Sequence, residues 1–391
     1  MHLPKFDANQ LEMLNVKLKQ VLVALMAIAI LPLTSQGQAT GPKMDIVFML
    51  DISGSTGGIL TSVRSKLWEI QNEIARLEPQ PDFRFGLVCM GRPSFLKEND
   101  YIRIVSDLTS DVDPGAFEFF QIKEVTAPGR FYMGDGLETA INKMDWSDEP
   151  EAIKMIFLCG NGGISSGPGY LSGAREAKEK GIVIHSLYFE TYFNAKEQAT
   201  WKDLAETTGG RFERIGLKEP NIAFEKNYNS QMLQEASQMI NTTYVYYGKE
   251  GLDRYEIQAD LDEEAELQGE DQVEARTFFK ANDRYQGSNW EWDLVDLHNT
   301  KKGYAGGASR KTLDENLQGM SDDELLMYVQ EKSYERREYI SITKLLSTQR
   351  EQYMKKKREA MANFRSNKTF FGVVDFILVK TAEENGMKLV Y

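Results

Sequence analysis

Histidine and cysteine are scarce in this chain of 391 residues, with three of the first and two of the second, which leaves little for redox, zinc or histidine-based chemistry. His2 lies in the leader, His185 alternates within an expected strand and His298 stands alone, so no Ser-His-Asp group can be assembled. Basic charge is also short: 46 Lys and Arg against 59 Asp and Glu leave a net charge of −13, which argues against a nucleic-acid partner. The glycine-rich run from Gly160 to Gly167 lacks the Gly-Lys-Ser/Thr ending of a phosphate loop, and reads as a tight loop. No second aspartate follows two residues after Asp51, where an aspartate-nucleophile phosphatase would carry one. With no nucleophile-base pair, an enzyme is not expected.

A long apolar run is missing as well. The best, Val21 to Leu31, falls short of a comfortable membrane span and follows Lys17 and Lys19. Residues 1–39 therefore read as a secretory signal peptide, with cleavage after Gly37 or Ala39 and Met13 as an alternative start, and an uncleaved membrane anchor is the alternative reading. No lipobox cysteine stands near the cleavage region. Export to the periplasm, cell envelope or extracellular space is expected, without membrane insertion of the mature chain.

What is present is concentrated in Asp45-Ile46-Val47-Phe48-Met49-Leu50-Asp51-Ile52-Ser53-Gly54-Ser55. Ile46 to Leu50 is a short apolar run bounded by turn residues, the pattern of a buried strand. Asp51, Ser53 and Ser55 then fall in a turn outside its carboxyl end, where open parallel sheets bind ligands. Oxygen-only donors suit Mg²⁺, Mn²⁺ or Ca²⁺ rather than zinc or copper. Apolar residues next recur at Leu60, Val63, Leu67, Ile70, Ile74 and Leu77, one helical stripe. A second reading of Ser53 and Ser55 is that they only cap that helix.

The stretch from Asp45 to about Ile215 resembles a von Willebrand factor A domain, whose metal-ion-dependent adhesion site begins with D-x-S-x-S. Later strands are expected over Phe83 to Val88, Tyr101 to Val105, Ile153 to Leu158, Ile182 to Tyr188 and Arg211 to Ile215. Helical patterns lie between them at Leu137, Ile141 and Met144, then from Ala174 to Lys180, then at Trp201, Leu204 and Ala205. Gly181 and Gly209-Gly210 supply helix stops. The fold class is α/β: a doubly wound, mainly parallel six-stranded sheet over residues 43–217, followed by a largely helical C-terminal region. In the resembled sheet, strand one separates strands two and four. Cys89 and Cys159 would then stand ~10 Å apart, too far for an unstrained disulfide.

The family's other metal ligands are a threonine before the Leu137 helix and an aspartate after the fourth strand. Here Phe131 or Met133 takes the threonine's place, and Gly160 or the neutral Asn161 that of the aspartate. Losing a carboxylate weakens a divalent site. The metal set is therefore Asp51, Ser53 and Ser55, with Asp135 and Asn161 as additional candidates, and Mg²⁺, Mn²⁺ or Ca²⁺ binding weak or absent.

Residues 218–320 are expected to hold a strand over Met239 to Tyr247, an acidic solvated helix or linker from Asp260 to Asp271, and an aromatic segment from Ala275 to Asp296. That segment resembles an extension found after the A domain in a group of bacterial secreted proteins, and reads as a packing face. In residues 321–391, Ser321-Asp322-Asp323-Glu324 forms a capping box before a long charged helix. Leu325, Val329, Ile342, Leu346 and Tyr353 recur on one side of it, for packing within the chain or between copies. The basic run Lys355 to Arg358 suits the end of a helix dipole. The preferred function is an exported module that binds another protein through the Asp51 edge. The alternative is an exported structural protein without bound metal that self-associates through its long helix.

Overall fold

The computed structural model describes residues 41–53, 58–91, 102–122, 133–162, 169–190, 195–216, 226, 228–300, 308–362 and 368–390. Strand β1 (Lys43–Asp51) is apolar on both sides because both of its faces are covered. Met44, Ile46, Phe48 and Leu50 enter one core, and Val47 and Met49 enter the other. Helices α1 (Ile59–Arg64) and α2 (Leu67–Ala75) follow, then β2 (Leu77–Glu78), β3 (Asp82–Met90) and β4 (Ile102–Thr109). Next come α3 (Asp113–Phe120), α4 (Met133–Lys143), β5 (Ile153–Gly160), α5 (Tyr170–Glu179), β6 (Ile182–Glu190), α6 (Ala195–Thr208) and β7 (Phe212–Gly216).

The main sheet has the order β4-β3-β1-β5-β6-β7, with β4 antiparallel to β3 and every other pair parallel. The six expected strands are all there, with the third running on to Thr109. Leu50 pairs with Cys89 on one side and Cys159 on the other, so β1 separates two buried cysteines that are not joined in a disulfide. The single stripe expected from Leu60 to Leu77 is divided. Lys66 leaves helical geometry at φ −127°, ψ 2°, and Leu77 pairs with Leu389 instead of continuing a helix.

The second region comprises α7 (Ser230–Asn241), α8 (Gly251–Gln268), α9 (Glu270–Ala281), α10 (Asp283–Ser288), α11 (Leu294–Asn299), α12 (Asp322–Ala362), α13 (Phe370–Glu384) and the short β8 (Lys388–Leu389). The strand expected over Met239 to Tyr247 is not formed. Its first part ends α7, which buries Leu233, Ala236 and Ile240 at helical spacing and is capped by Asn229, whose Oδ1 accepts the Met232 N–H at 3.1 Å. Tyr246 of this stretch makes an isolated strand-like bridge, to Asp293. The acidic stretch lies at the end of α8 and the start of α9, where Gly269 turns the chain at φ 111°. Phe279, Tyr285 and Trp292 of the aromatic segment are buried packing groups.

The capping box forms as expected: Ser321 N–H donates to Glu324 Oε2 at 2.8 Å, and Glu324 N–H donates to Ser321 Oγ at 3.3 Å. The stripe Leu325, Val329, Ile342, Leu346 and Tyr353 on α12 is buried within this chain. The helices cover the sheet face that carries Phe48. Phe370 of α13 lies 6.3 Å from Phe48 and 6.0 Å from Phe189, between ring centroids. Buried charge reinforces the junction. Arg276 pairs with Asp113, and Arg350 pairs with Glu69 and Glu274. Although burial pushes the Glu69 carboxyl up, Arg350 brings it below its ordinary value.

Candidate functional site

Asp51 ends β1 on the face of the sheet covered by α4 and α6, and it is completely buried. Its Oδ1 accepts the Ser53 backbone N–H at 2.9 Å, the local turn that an aspartate two residues earlier favours. Its Oδ2 is buried without a hydrogen-bond partner. Burial raises the carboxyl to about 6, although the Ser53 N–H, the Ser53 hydroxyl and the Asn161 backbone N–H favour the charged form. A buried carboxylate oxygen left in this state costs free energy that a cation would recover.

The surrounding backbone is drawn in close. Gly91, at φ +94°, has a missing Cβ that would stand 3.1 Å from Ser53 Cβ and 3.2 Å from Asp51 Oδ1. A Cβ on Gly160 would meet Asp51 Cβ and Trp201 Cη2, each at 2.8 Å. Position 160 therefore accepts only glycine without a shift of its neighbours, and Asn161 is the residue at this strand end with a side chain to offer. Asn161 is buried beside Asp51.

The other expected residues fall out unevenly. Met133 starts α4 as a buried core side chain, so it supplies packing and no oxygen. Asp135 is half-buried in the first turn of α4, and Gly136 of the same turn packs toward Met49 and Met90. Ser55 and Phe131 lie outside the described residues. The structure thus brings Asp51, Ser53 and Asn161 together at the ends of β1 and β5. Among the described residues, no group of three or more His, Cys, Asp or Glu could hold a metal ion. The donor set fits a hard cation through Asp51 and the Ser53 hydroxyl, with one carboxylate to balance its charge.

The sequence pattern places Trp201 only on a helix and gives Gly91 no role. Glycine directly after β3, whose last residue Met90 pairs with Asp51, was the available signal for the second. Nothing in the sequence points Trp201 toward β5.

The central place of β1, the antiparallel edge strand β4 and the alternating covering helices decide the architecture. Residues 43–216 have the fold of a von Willebrand factor A domain. No family model matches the sequence, and no curated protein matches it. Solved structures do. Proximal thread matrix protein 1 from the mussel byssus, with a zinc-occupied MIDAS motif, is 17% identical over 44% of this chain and 42% of its own, with a TM-score of 0.34. BatB from Bacteroides thetaiotaomicron is 13% identical over 45% of this chain and 91% of its own, with a TM-score of 0.32. The SpRpn10 von Willebrand factor A domain is 13% identical over 46% and 90%, with a TM-score of 0.35. This chain spans about two fifths of the mussel protein's length. Among the described residues, no helix of the A domain or the helical region is long and apolar enough to cross a membrane.

Proposed function

We propose that this protein is an exported binding module without catalytic activity, which engages another protein at the sheet edge around Asp51 with the help of a weakly held Mg²⁺, Mn²⁺ or Ca²⁺. The observation that carries the reading is the buried Asp51 carboxylate, whose Oδ2 has no hydrogen-bond partner beside the Ser53 turn. Asp51 and the Ser53 hydroxyl would hold the cation, and Ser55, Asp135 and Asn161 are the further oxygen donors in the set. A cation held there would supply positive charge at the sheet edge to attract an acidic group of a partner. With a single carboxylate beside it, such a cation would be weakly held.

Assembly through the long helix is not the reading favoured here, because the apolar stripe of α12 is used for packing inside the chain. Calorimetric titration of Mg²⁺, Mn²⁺ and Ca²⁺ into the wild type and Asp51→Ala tests the metal part. Heat of binding is expected for the wild type alone, and none for either protein would overturn it. Capture from a cell-envelope extract, with Asp51→Ala as the control, tests the partner. A partner retained equally by both proteins would place its contact away from this edge.

A further inference from the structure

Gly160 and Gly162 flank Asn161 at the end of β5, so neither neighbour has a side chain to fix the turn. Trp201 supplies the missing support from α6. It is fully buried, and its Nε1–H donates to the Gly162 carbonyl at 2.9 Å. The same edge of the indole continues along Gly160, with Cη2 and Cζ2 lying 2.8 and 3.3 Å from the position a Cβ would take there. Asp51 Cβ lies 2.8 Å from that point. Asp51, Gly160 and Trp201 therefore form three successive layers.

The indole is itself held. Tyr188 of β6 meets it edge-on, with centroids 5.6 Å apart and planes at 80°. The Tyr188 hydroxyl donates to Glu197 Oε2 at 3.1 Å, one turn earlier on the helix that carries Trp201. A rigid aromatic pair thus fixes where the β5 turn can go.

We propose that Trp201 is the positioning residue of this site: its indole N–H and ring edge hold the Asn161-Gly162 turn against Asp51. The consequence for metal binding rests on the reading of Asp51 as a metal anchor, and the consequence for the turn does not. Without the indole bond, Gly162 loses its buried partner and Asn161 is no longer kept beside the carboxylate.

The test compares Trp201→Phe with the full-length wild type and with Trp292→Phe. The second variant loses a different indole bond, to Asn289 Oδ1 at 3.2 Å, in the helical region. Amide hydrogen exchange of the metal-free proteins is read at Asn161 and Gly162, and Mg²⁺ affinity is measured by titration. Trp201→Phe is expected to speed exchange at both amides at least tenfold relative to the other strands, and to weaken Mg²⁺ at least fivefold. Trp292→Phe should lower overall stability and change neither ratio. Unchanged exchange at Asn161, or acceleration shared equally by all strands, would overturn the positioning role. If Trp201→Phe fails to fold, 3-benzothienylalanine at position 201 keeps the ring shape without the N–H donor and is read the same way. A wild type that binds no Mg²⁺ would remove the metal reading, while the exchange result still decides the role of Trp201.

Discussion

Arg276 of α9 and Asp113 of α3 meet in a two-pronged ion pair across the junction between the A domain and the helical region. Nη1 lies 2.6 Å from Oδ1 and Nη2 lies 2.9 Å from Oδ2. Tyr285 donates to the same Oδ2 at 2.7 Å, and Arg276 Nε donates to Asp262 at 3.0 Å. The guanidinium lies 5.5 Å from the ring centroids of both Trp68 and Phe279. Taking either charge away leaves the other buried and uncompensated, and that is costlier than losing the pair. Arg276→Met should therefore destabilise the chain by about 3–5 kcal/mol in urea denaturation. The double variant Arg276→Met/Asp113→Leu should recover part of this loss. Losses that simply add would show that the two side chains are not coupled.

A second prediction concerns acid. His185 is buried in β6, stacks on Phe157 at 5.4 Å and accepts the Arg211 backbone N–H on Nδ1 at 3.2 Å. Burial, and then the charge of Arg211, pushes its imidazole down from 6.5 to about 4. The folded state therefore holds the proton less tightly than the unfolded state. This contribution is complete above pH 6.5 and is lost as pH falls toward 4. Between pH 7 and 5 the loss is about 2 kcal/mol, at ~1.4 kcal/mol per unit of pH. His185→Asn keeps an acceptor for Arg211 and cannot charge, so its stability should fall less over that interval. Parallel curves for the two proteins from pH 7 to 5 would show that His185 does not report acid.

At the candidate site, neighbouring positions should respond in opposite ways. Asn161→Asp adds a carboxylate beside Asp51, and about a tenfold gain in Mg²⁺ affinity is expected by calorimetry, at some cost in metal-free stability from paired negative charge. Gly160→Ala would place a methyl 2.8 Å from both Asp51 Cβ and Trp201 Cη2. Overpacking of this kind costs about 1–3 kcal/mol, visible as a lower denaturation midpoint. A tolerated Gly160→Ala with unchanged metal affinity would show that the layers around Asp51 can separate freely.

The strands were legible because each is a short apolar run with turn residues at its ends, and the placing of Asp51, Ser53 and Asn161 at strand ends was legible because they close or follow such runs. The stretch from Met239 to Tyr247 was not. Its aromatic and β-branched residues satisfy strand composition, yet Leu233, Ala236 and Ile240 extend a helical stripe into it from upstream. A short apolar segment takes its structure from what covers it, and here α9 and α12 do. Trp201 was hidden for a related reason: a helical pattern identifies the buried face and says nothing about which strand end that face meets. The pairings of Arg276 with Asp113, and of Arg350 with Glu69, join residues 163 and 281 positions apart, so no local pattern records them.

The last prediction follows from the place of α13, since the end of the chain completes the A domain's core. Phe370, Val374, Ile377 and Leu378 are buried, and Phe370 lies against Phe48 and Phe189. Backbone bonds hold both sides of the helix: Gly216 N–H donates to Lys368 O at 3.1 Å, and Val390 N–H donates to Arg76 O at 3.1 Å. Burial of four such side chains is worth about 6–12 kcal/mol at ~1.5–3 kcal/mol each, comparable with the whole stability of a domain. A chain ending at residue 367 should therefore lose its cooperative transition and near-ultraviolet circular dichroism, and bind a hydrophobic dye. The residues 43–216 alone should behave in the same way, because the sheet face around Phe48 would be uncovered. A cooperative, dye-free transition in either shortened chain would show that the A domain closes its own core and that α13 is only an attachment to it.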